Sequence, residues 1–312
     1  MTENPFVVGI DGSPEAREAL RWACRLAVVR EREIVAVHAL GLLESIGGQV
    51  VSADNHRAEI EDLVRREWCG AVCAHETPFR IVVVDGDPVD VLLGVAAHEH
   101  ATAVIVGSRG VGATASLALG STSLHLVQES TLPVLVIPDA EDAGRHLALR
   151  RILVAIDGSP ACTPAIDLAC DLAAPFEARI ELVRAVEETP VSPRGHAAAA
   201  GTTAHWAVPA QAHRDAEGFC YQVRSRGLPV HLTVERGDPD EVVRTVAARL
   251  DADLVIAATH RAGHLSDGLL DSVSRRIVRV AHRPTLVIPV GRSAGHRRHR
   301  SWVNLGGVPS PS

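Results

Sequence analysis

The sequence predicts two tandem copies of a doubly wound, five-stranded parallel α/β domain, and three observations carry that reading. Val8-Gly9-Ile10-Asp11-Gly12-Ser13-Pro14 returns 146 positions later as Val154-Ala155-Ile156-Asp157-Gly158-Ser159-Pro160, which marks a duplication. Within each copy, short β-branched runs alternate with longer amphipathic stretches, the signature of βαβ units. The strands are apolar at successive positions, as in Ala103-Val104-Ile105-Val106, which is what a sheet covered on both faces requires.

Taken in order, Phe6–Ile10 reads as a strand and Pro14–Arg30 as a helix, with Ser13 as an N-cap acceptor before a proline at the first helical position. Ile34–Ala39 is the second strand, residues 40–54 a long loop, Asn55–Ala74 a helix and Phe79–Val84 the third strand. Asp87-Pro88 repeats the cap logic and opens a helix over Pro88–His100; Ala103–Val106 is the fourth strand, Ser121–Ser130 a helix and Val134–Ile137 the last strand. Gly86-Asp87-Pro88 returns as Gly237-Asp238-Pro239, and Pro133 with Leu135-Val136-Ile137-Pro138 as Pro284 with Leu286-Val287-Ile288-Pro289, now displaced by 151, so five residues enter between the second and third strands of the later copy. Asp87 and Asp238 are expected as caps, and Cys24 and Cys170 as equivalent core positions. The domains are expected at 1–140 and 151–290, joined by a polar linker over 141–150, with a second long loop at 190–212 and a disordered basic tail over 291–312. The two copies are expected to pack as an intramolecular pseudo-dimer through their last strands, with a further homodimer left open.

Composition narrows the chemistry. In 312 residues, 46% are apolar and 22% charged, which is globular usage. All 31 basic Lys-or-Arg positions are Arg, so a Schiff-base lysine, a lysine general base and the lysine of a Walker A loop are excluded. The net charge is −7, and setting aside Arg292, Arg297, Arg298 and Arg300 of the tail leaves the body at −11, which argues against nucleic-acid binding. No apolar run approaches the ~18 residues of a membrane span. Met1-Thr2-Glu3-Asn4-Pro5 lacks the basic and apolar regions of a signal peptide, so the expected location is the cytoplasm, away from membranes. Of Cys24, Cys69, Cys73, Cys162, Cys170 and Cys220, only Cys69 and Cys73 lie close together, without a second ligand pair of zinc spacing, and buried reduced thiols are expected.

The functional expectation falls on the loop after the fourth strand, because open α/β sheets bind ligands beyond the carboxyl ends of strands at the switch point. Gly107-Ser108-Arg109-Gly110 is followed by nine residues and then by Gly120-Ser121-Thr122 opening a helix. Glycines allow close backbone approach, and a helix N-terminus presents N–H groups with roughly half a positive charge, so the pattern suits an anion without any lysine. The spacing Gly107-x2-Gly110-x9-Gly120-Ser121, with Asp11 ending the first strand, resembles the universal stress protein family over both halves. That resemblance implies a Rossmann-like fold of the adenine nucleotide hydrolase type, an ATP ligand that tolerates Mg²⁺, and a regulatory role in the stress response through an unidentified protein partner. By position it implies Gly9, Asp11, Gly12 and Ser13 at the ribose and phosphates, the Ala39 backbone at adenine, and Gly107, Ser108, Arg109, Gly110, Gly120, Ser121 and Thr122 around the phosphates. No catalytic residue or resident metal site is expected; without a water-activating base and arginine finger, any hydrolysis is slow.

The second copy departs from the pattern, carrying Ala258, Arg261 and Asp271 where the first has Gly107, Gly110 and Gly120. A carboxylate ~4 Å from a phosphate costs about 4 kcal/mol at an effective dielectric near 20, so ATP is expected in the first half and little or none in the second. Alternative readings remain. A nucleotide-free interaction scaffold would suit the second half, and a phosphotransferase is a third class. Gly110-Val111-Gly112-Ala113-Thr114-Ala115 fits a loose dinucleotide fingerprint but follows the wrong strand. Ser121 and His125 are one helical turn apart, Asp85 and Asp87 flank a glycine as a cation site would, and Arg109 reads equally as a phosphate ligand or a solvated loop charge.

Overall fold

β-branched runs that must be covered on both faces can only stack side by side, and here they form one continuous sheet. The computed structural model describes residues 3–41, 43–46, 49–70, 77–110, 119–138, 149–186, 210–260 and 273–290. The first half contains β1 (Glu3–Gly9), α1 (Pro14–Arg30), β2 (Arg32–Leu40), the short antiparallel pair β3 (Leu43–Ile46) and β4 (Gln49–Ser52), and α2 (Ala53–Leu63). It continues through β5 (Phe79–Asp85), α3 (Pro88–His98), β6 (Ala103–Gly107), α4 (Ser121–Glu129) and β7 (Val134–Ile137). The second half contains β8 (Arg151–Ala155), α5 (Thr163–Ala173), β9 (Arg179–Val186), α6 (Ala210–Arg224) and β10 (Val230–Arg236), then α7 (Pro239–Arg249), β11 (Leu254–His260), α8 (Val273–Val280) and β12 (Thr285–Val290).

The ten long strands run in the order β10-β9-β8-β11-β12-β7-β6-β1-β2-β5. Each half is parallel, with its first strand in the middle, flanked by the second strand on one side and the fourth on the other. That central reversal of winding puts a switch point, where open α/β sheets take their ligands, at the carboxyl ends of β1 and β6, and of β8 and β11. The apolar runs explain the layering: Ala103 and Ile105 pack with α1, while Val104 and Val106 pack with α3 and α4. On the α1 and α5 face, one core cluster runs unbroken through both halves, and Arg30 Nη1 of α1 donates to the Asp171 carbonyl of α5 at 3.3 Å. Cys24 and Cys170 both lie buried in that cluster, as their equivalent repeat positions require.

The halves meet through their last strands, as expected, with β7 antiparallel to β12. Leu135 pairs with Leu286, its own counterpart in the repeat, and Val134 and Val136 pair with Val287 and Thr285. A repeat element facing its own copy in this way is the geometry of a two-fold isologous contact, realised here inside one chain.

Two expectations change. Residues 43–52 are not loop throughout: they hold the antiparallel strands β3 and β4, for which Gly47-Gly48 was the available turn signal. The helix expected over Asn55–Ala74 is α2 followed by a π-helical turn at Val64–Trp68, which packs an extra residue into one turn. Residues 71–76, 111–118, 139–148, 187–209, 261–272 and 291–312, and with them Cys73, the linker up to residue 148, Arg261, Asp271 and the basic tail, lie outside the described residues. No helix among the described residues is long and apolar enough to cross a membrane.

Candidate functional site

The turn after β1 is built by its own polar groups. Asp11 Oδ1 accepts from the Ser13 N–H at 3.0 Å, Gly12 adopts φ +81°, and Ser13 Oγ accepts from the Ala16 N–H at 3.1 Å as the N-cap of α1. Only glycine takes that φ without strain. Ser13 is thus a capping residue, buried at the site's floor.

The three glycines of the later loop lie against the protein itself. A Cβ on Gly107 would stand 2.7 Å from Glu15 Cβ and 2.9 Å from the Glu15 carbonyl carbon, so β6 ends directly against the first turn of α1. A Cβ on Gly110 would stand 2.5 Å from Asp11 Oδ2, which places the loop beside the β1 carboxylate. Gly120 donates its N–H to the Ser108 carbonyl at 2.6 Å, and Ser123 Oγ donates to the same oxygen at 2.9 Å. The spacing therefore serves loop closure as well as any ligand: it brings Asp11, Gly110 and the start of α4 to one place. Gly9 obeys the same constraint one layer down, where a Cβ would meet Val106 Cγ1 at 3.0 Å.

Helix starts distinguish this corner from those of α1 and α3 in the same half. α1 is capped by Ser13, and α3 by Asp87, whose Oδ1 accepts from the Val89 N–H at 2.9 Å. α4 starts at Gly120, which has no side chain to cap it, so its first turn is left for an external acceptor. Ser121 is exposed there and Thr122 half-buried. This donor set fits an anionic group, and no lysine is needed for it.

Arg109 is neither a solvated loop charge nor free to reach outward at will. Its Nη2 lies 3.1 Å from Glu15 Oε1, and both side chains are largely buried. Ala39 sits near the end of β2, half-buried, one strand away from Gly9. Its neighbour His38 is buried with Nδ1 2.8 Å from the Ile10 carbonyl, and packs edge-on against Trp68 with ring centroids 5.0 Å apart. Trp68 covers Gly12, where a Cβ would stand 2.5 Å from Cε2 of the indole. Glu15, His38 and Trp68 were not among the sequence candidates. Glu15, in the first turn after Ser13-Pro14, carried a signal; Trp68 did not, because the π turn sets its direction.

The remaining candidates find bland partners. Asp85 accepts from Arg57, and Asp87 caps α3, so both carboxylates have partners within the chain. Asp238 holds the N-cap position of α7 but makes no side-chain cap: Arg276 Nη2 donates to it at 3.0 Å, and a hydrogen bond from Asp240 together with Arg276 holds its carboxyl below the usual range. Among the described residues no group of three or more His, Cys, Asp or Glu is arranged to hold a metal.

In the second half the turn keeps its shape and changes its chemistry. Gly158 has φ +86°, and Ser159 N–H donates to Asp157 Oδ1 at 2.7 Å. Ser159 Oγ, however, is buried with no hydrogen-bond partner, and α5 begins later, behind a short 3-10 turn at Pro160–Cys162. Cys162 Sγ donates to Asp157 Oδ1 at 3.1 Å, and burial pushes this thiol up to about 11. Over Gly158 lies the Arg184 guanidinium, with Nη1 2.8 Å from where a Cβ would be.

A tandem doubly wound α/β protein with a switch point in each half is therefore the class that the fold defines. The model of the universal stress protein family matches residues 4–138 and 148–289, and the chain belongs to that family. It is 29% identical over 309 residues to a universal stress protein of Mycolicibacterium smegmatis, covering 92% of this chain and 97% of that one. It is 26% identical over 290 residues to a universal stress protein of Mycobacterium tuberculosis, covering 90% and 95%. Among solved structures, a universal stress protein of Archaeoglobus fulgidus superposes with a TM-score of 0.69 at 18% identity, over 94% of this chain and 98% of that one.

Proposed function

We propose that this universal stress protein is a nucleotide-dependent regulator that holds ATP in the crevice of its first half, with the domain division expected from the repeat. The observation that carries the reading is the convergence of the Asp11 carboxylate, Gly110 and the side-chain-free start of α4 at one corner. Main-chain N–H groups of the first turn of α4, with the Ser121 and Thr122 hydroxyls, take the phosphates. Asp11 lies where it meets the ribose or a Mg²⁺ ion beside the phosphates, and Ala39 offers its backbone to the base. Arg109, braced by Glu15, contributes positive charge from the rim. The protein acts in the cytoplasm through a protein partner that reads the nucleotide state.

The second half favours a different reading, that of a nucleotide-free scaffold. There a guanidinium lies over Gly158 and alanine replaces the first loop glycine. Mass spectrometry of nucleotide released from the purified chain tests both readings, with titration of ATP against the same protein. ATP at one equivalent per chain is expected. Absence of bound nucleotide together with no uptake at saturating ATP overturns the first reading, and two equivalent sites overturn the asymmetry.

A further inference from the structure

Each half places one of its own side chains over the glycine that succeeds its first strand. In the first half it is Trp68, whose Cε2, Cζ2 and Nε1 atoms lie 2.5–2.7 Å from where a Gly12 Cβ would be. In the second it is Arg184, whose Nη1, Cζ and Nη2 lie 2.8–3.0 Å from the matching point on Gly158. Arg184 stands on β9 at the repeat position that His38 holds on β2, and His38 is the ring against which Trp68 leans. The same spot is thus filled twice by unrelated means.

We propose that both crevices are closed by the protein's own side chains, reversibly by Trp68 in the first half and in a locked form by Arg184 in the second. The side chain covering the glycine then decides which half takes a nucleotide, and the altered loop of the second half only weakens the binding of what enters. This rests on the nucleotide reading above and names the regulation of that site.

The two plugs differ in how they are held. Arg184 Nη1 donates to the Ala212 carbonyl at 2.8 Å and to Asp215 Oδ2 at 3.1 Å, both on α6, and the side chain is 16% exposed. A planar guanidinium fixed by directional, charge-assisted bonds cannot leave without breaking both. Trp68 is partly buried, packed against the main core cluster, and held as well by aromatic edge contact with His38 and by van der Waals contact with Gly12. An edge-to-face contact has a preferred geometry but no ionic bond, so the ring can swing away without separating charges. It also closes a π-helical turn, a rare geometry that is frequent at functional sites. A ligand approaching the main chain of Gly12 from that side meets the indole first. Binding therefore selects molecules in which Trp68 has moved, and the apparent affinity is reduced by the fraction that is open.

Equilibrium dialysis of ATP against the full chain tests this, using wild type, Trp68→Ala, Trp68→Phe, Arg184→His and Arg184→Ala, with thermal midpoints to verify folding. If the closed form holds ~90% of molecules, Trp68→Ala tightens ATP binding about tenfold and Trp68→Phe by less. The Arg184 variants raise ATP bound at saturation from one equivalent toward two. Weaker binding in both folded Trp68 variants would make the indole a supporting wall and overturn the proposal. So would a stoichiometry left at one in both folded Arg184 variants. ATP uptake by Trp68→Ala but not by wild type would support the plug while refuting the functional reading for the native chain. No uptake by any folded protein would refute both.

Discussion

The two halves share a sheet, a repeat and a turn with a positive-φ glycine, yet their crevices are furnished in opposite ways. In the first, Gly107 lets β6 touch α1, Ser13 caps α1 from the floor of the site, and an aromatic ring covers the turn. In the second, Ala258 replaces that glycine, the Ser159 hydroxyl is left without a partner, and an ion-paired arginine covers the turn. A duplicated fold can thus keep its core pattern while its two copies differ in the side chains around the same turn. Packing demands act on every core residue of both copies, whereas site demands act only where a ligand binds.

Substitutions at matched positions break this comparison most strongly at Gly107. Gly107→Ala forces a Cβ against the backbone of α1, where it stands 3.0 Å from the Ala16 nitrogen. Overpacking of this kind costs about 1–3 kcal/mol, and we expect the upper end together with loss of ATP binding. The reverse change, Ala258→Gly, should cost well under half as much; equal losses by denaturant unfolding would show that the halves are not differently packed at this point.

Gly12→Ala comes next, since an L-residue at φ +81° is strained by roughly 1–2 kcal/mol and its methyl also meets Trp68. Combining it with Trp68→Ala should recover the steric share and leave the strain, a non-additivity that a double-mutant cycle measures. Additive losses would mean that the ring simply yields.

Ser13→Ala should destabilise by about 1 kcal/mol through loss of the α1 cap, while Ser159→Ala should be neutral or slightly stabilising because its buried hydroxyl has no partner to lose. A matched pair of thermal midpoints decides this, and equal effects would contradict the cap asymmetry.

The smallest effect concerns Cys162. Its thiol is raised to about 11 from an ordinary value of 9.0, chiefly by burial, so the folded state favours the protonated form. That contribution is fully present below pH about 9 and is lost as pH rises through about 11. The stability difference between wild type and Cys162→Ala should narrow or reverse across that window, and iodoacetamide at pH 8 should leave Cys162 unmodified in the folded chain. Rapid native-state alkylation at this residue would place the thiol in a different environment.

Much of the fold was legible because its signals are local. The seven-residue repeat, the Ser13-Pro14 and Asp87-Pro88 starts and the unbroken apolar strands each constrain their own neighbourhood, and together they define the elements. Departures from local rules are where sequence and structure part. The β3 and β4 pair has too few residues for a periodic signal, and the π turn before Cys69 cannot be told from a continuing α-helix by hydrophobic spacing. Asp238 resembles Asp87 in sequence, but Arg276, arriving from α8 far along the chain, takes its carboxylate. Arg109 has two equal roles in the sequence, and Glu15 from α1 supplies a third in the folded chain.

From the sequence alone came the duplication, the family, the succession of strands and the glycine loop with its cap-free helix start, because repeats, periodicity and backbone permissiveness are written in adjacent residues. Only the folded molecule decided which side chain lies over each turn glycine and that the halves join Leu135 to Leu286. Those contacts connect residues dozens to more than a hundred positions apart, and their geometry depends on how whole strands and helices are stacked, which no local pattern encodes.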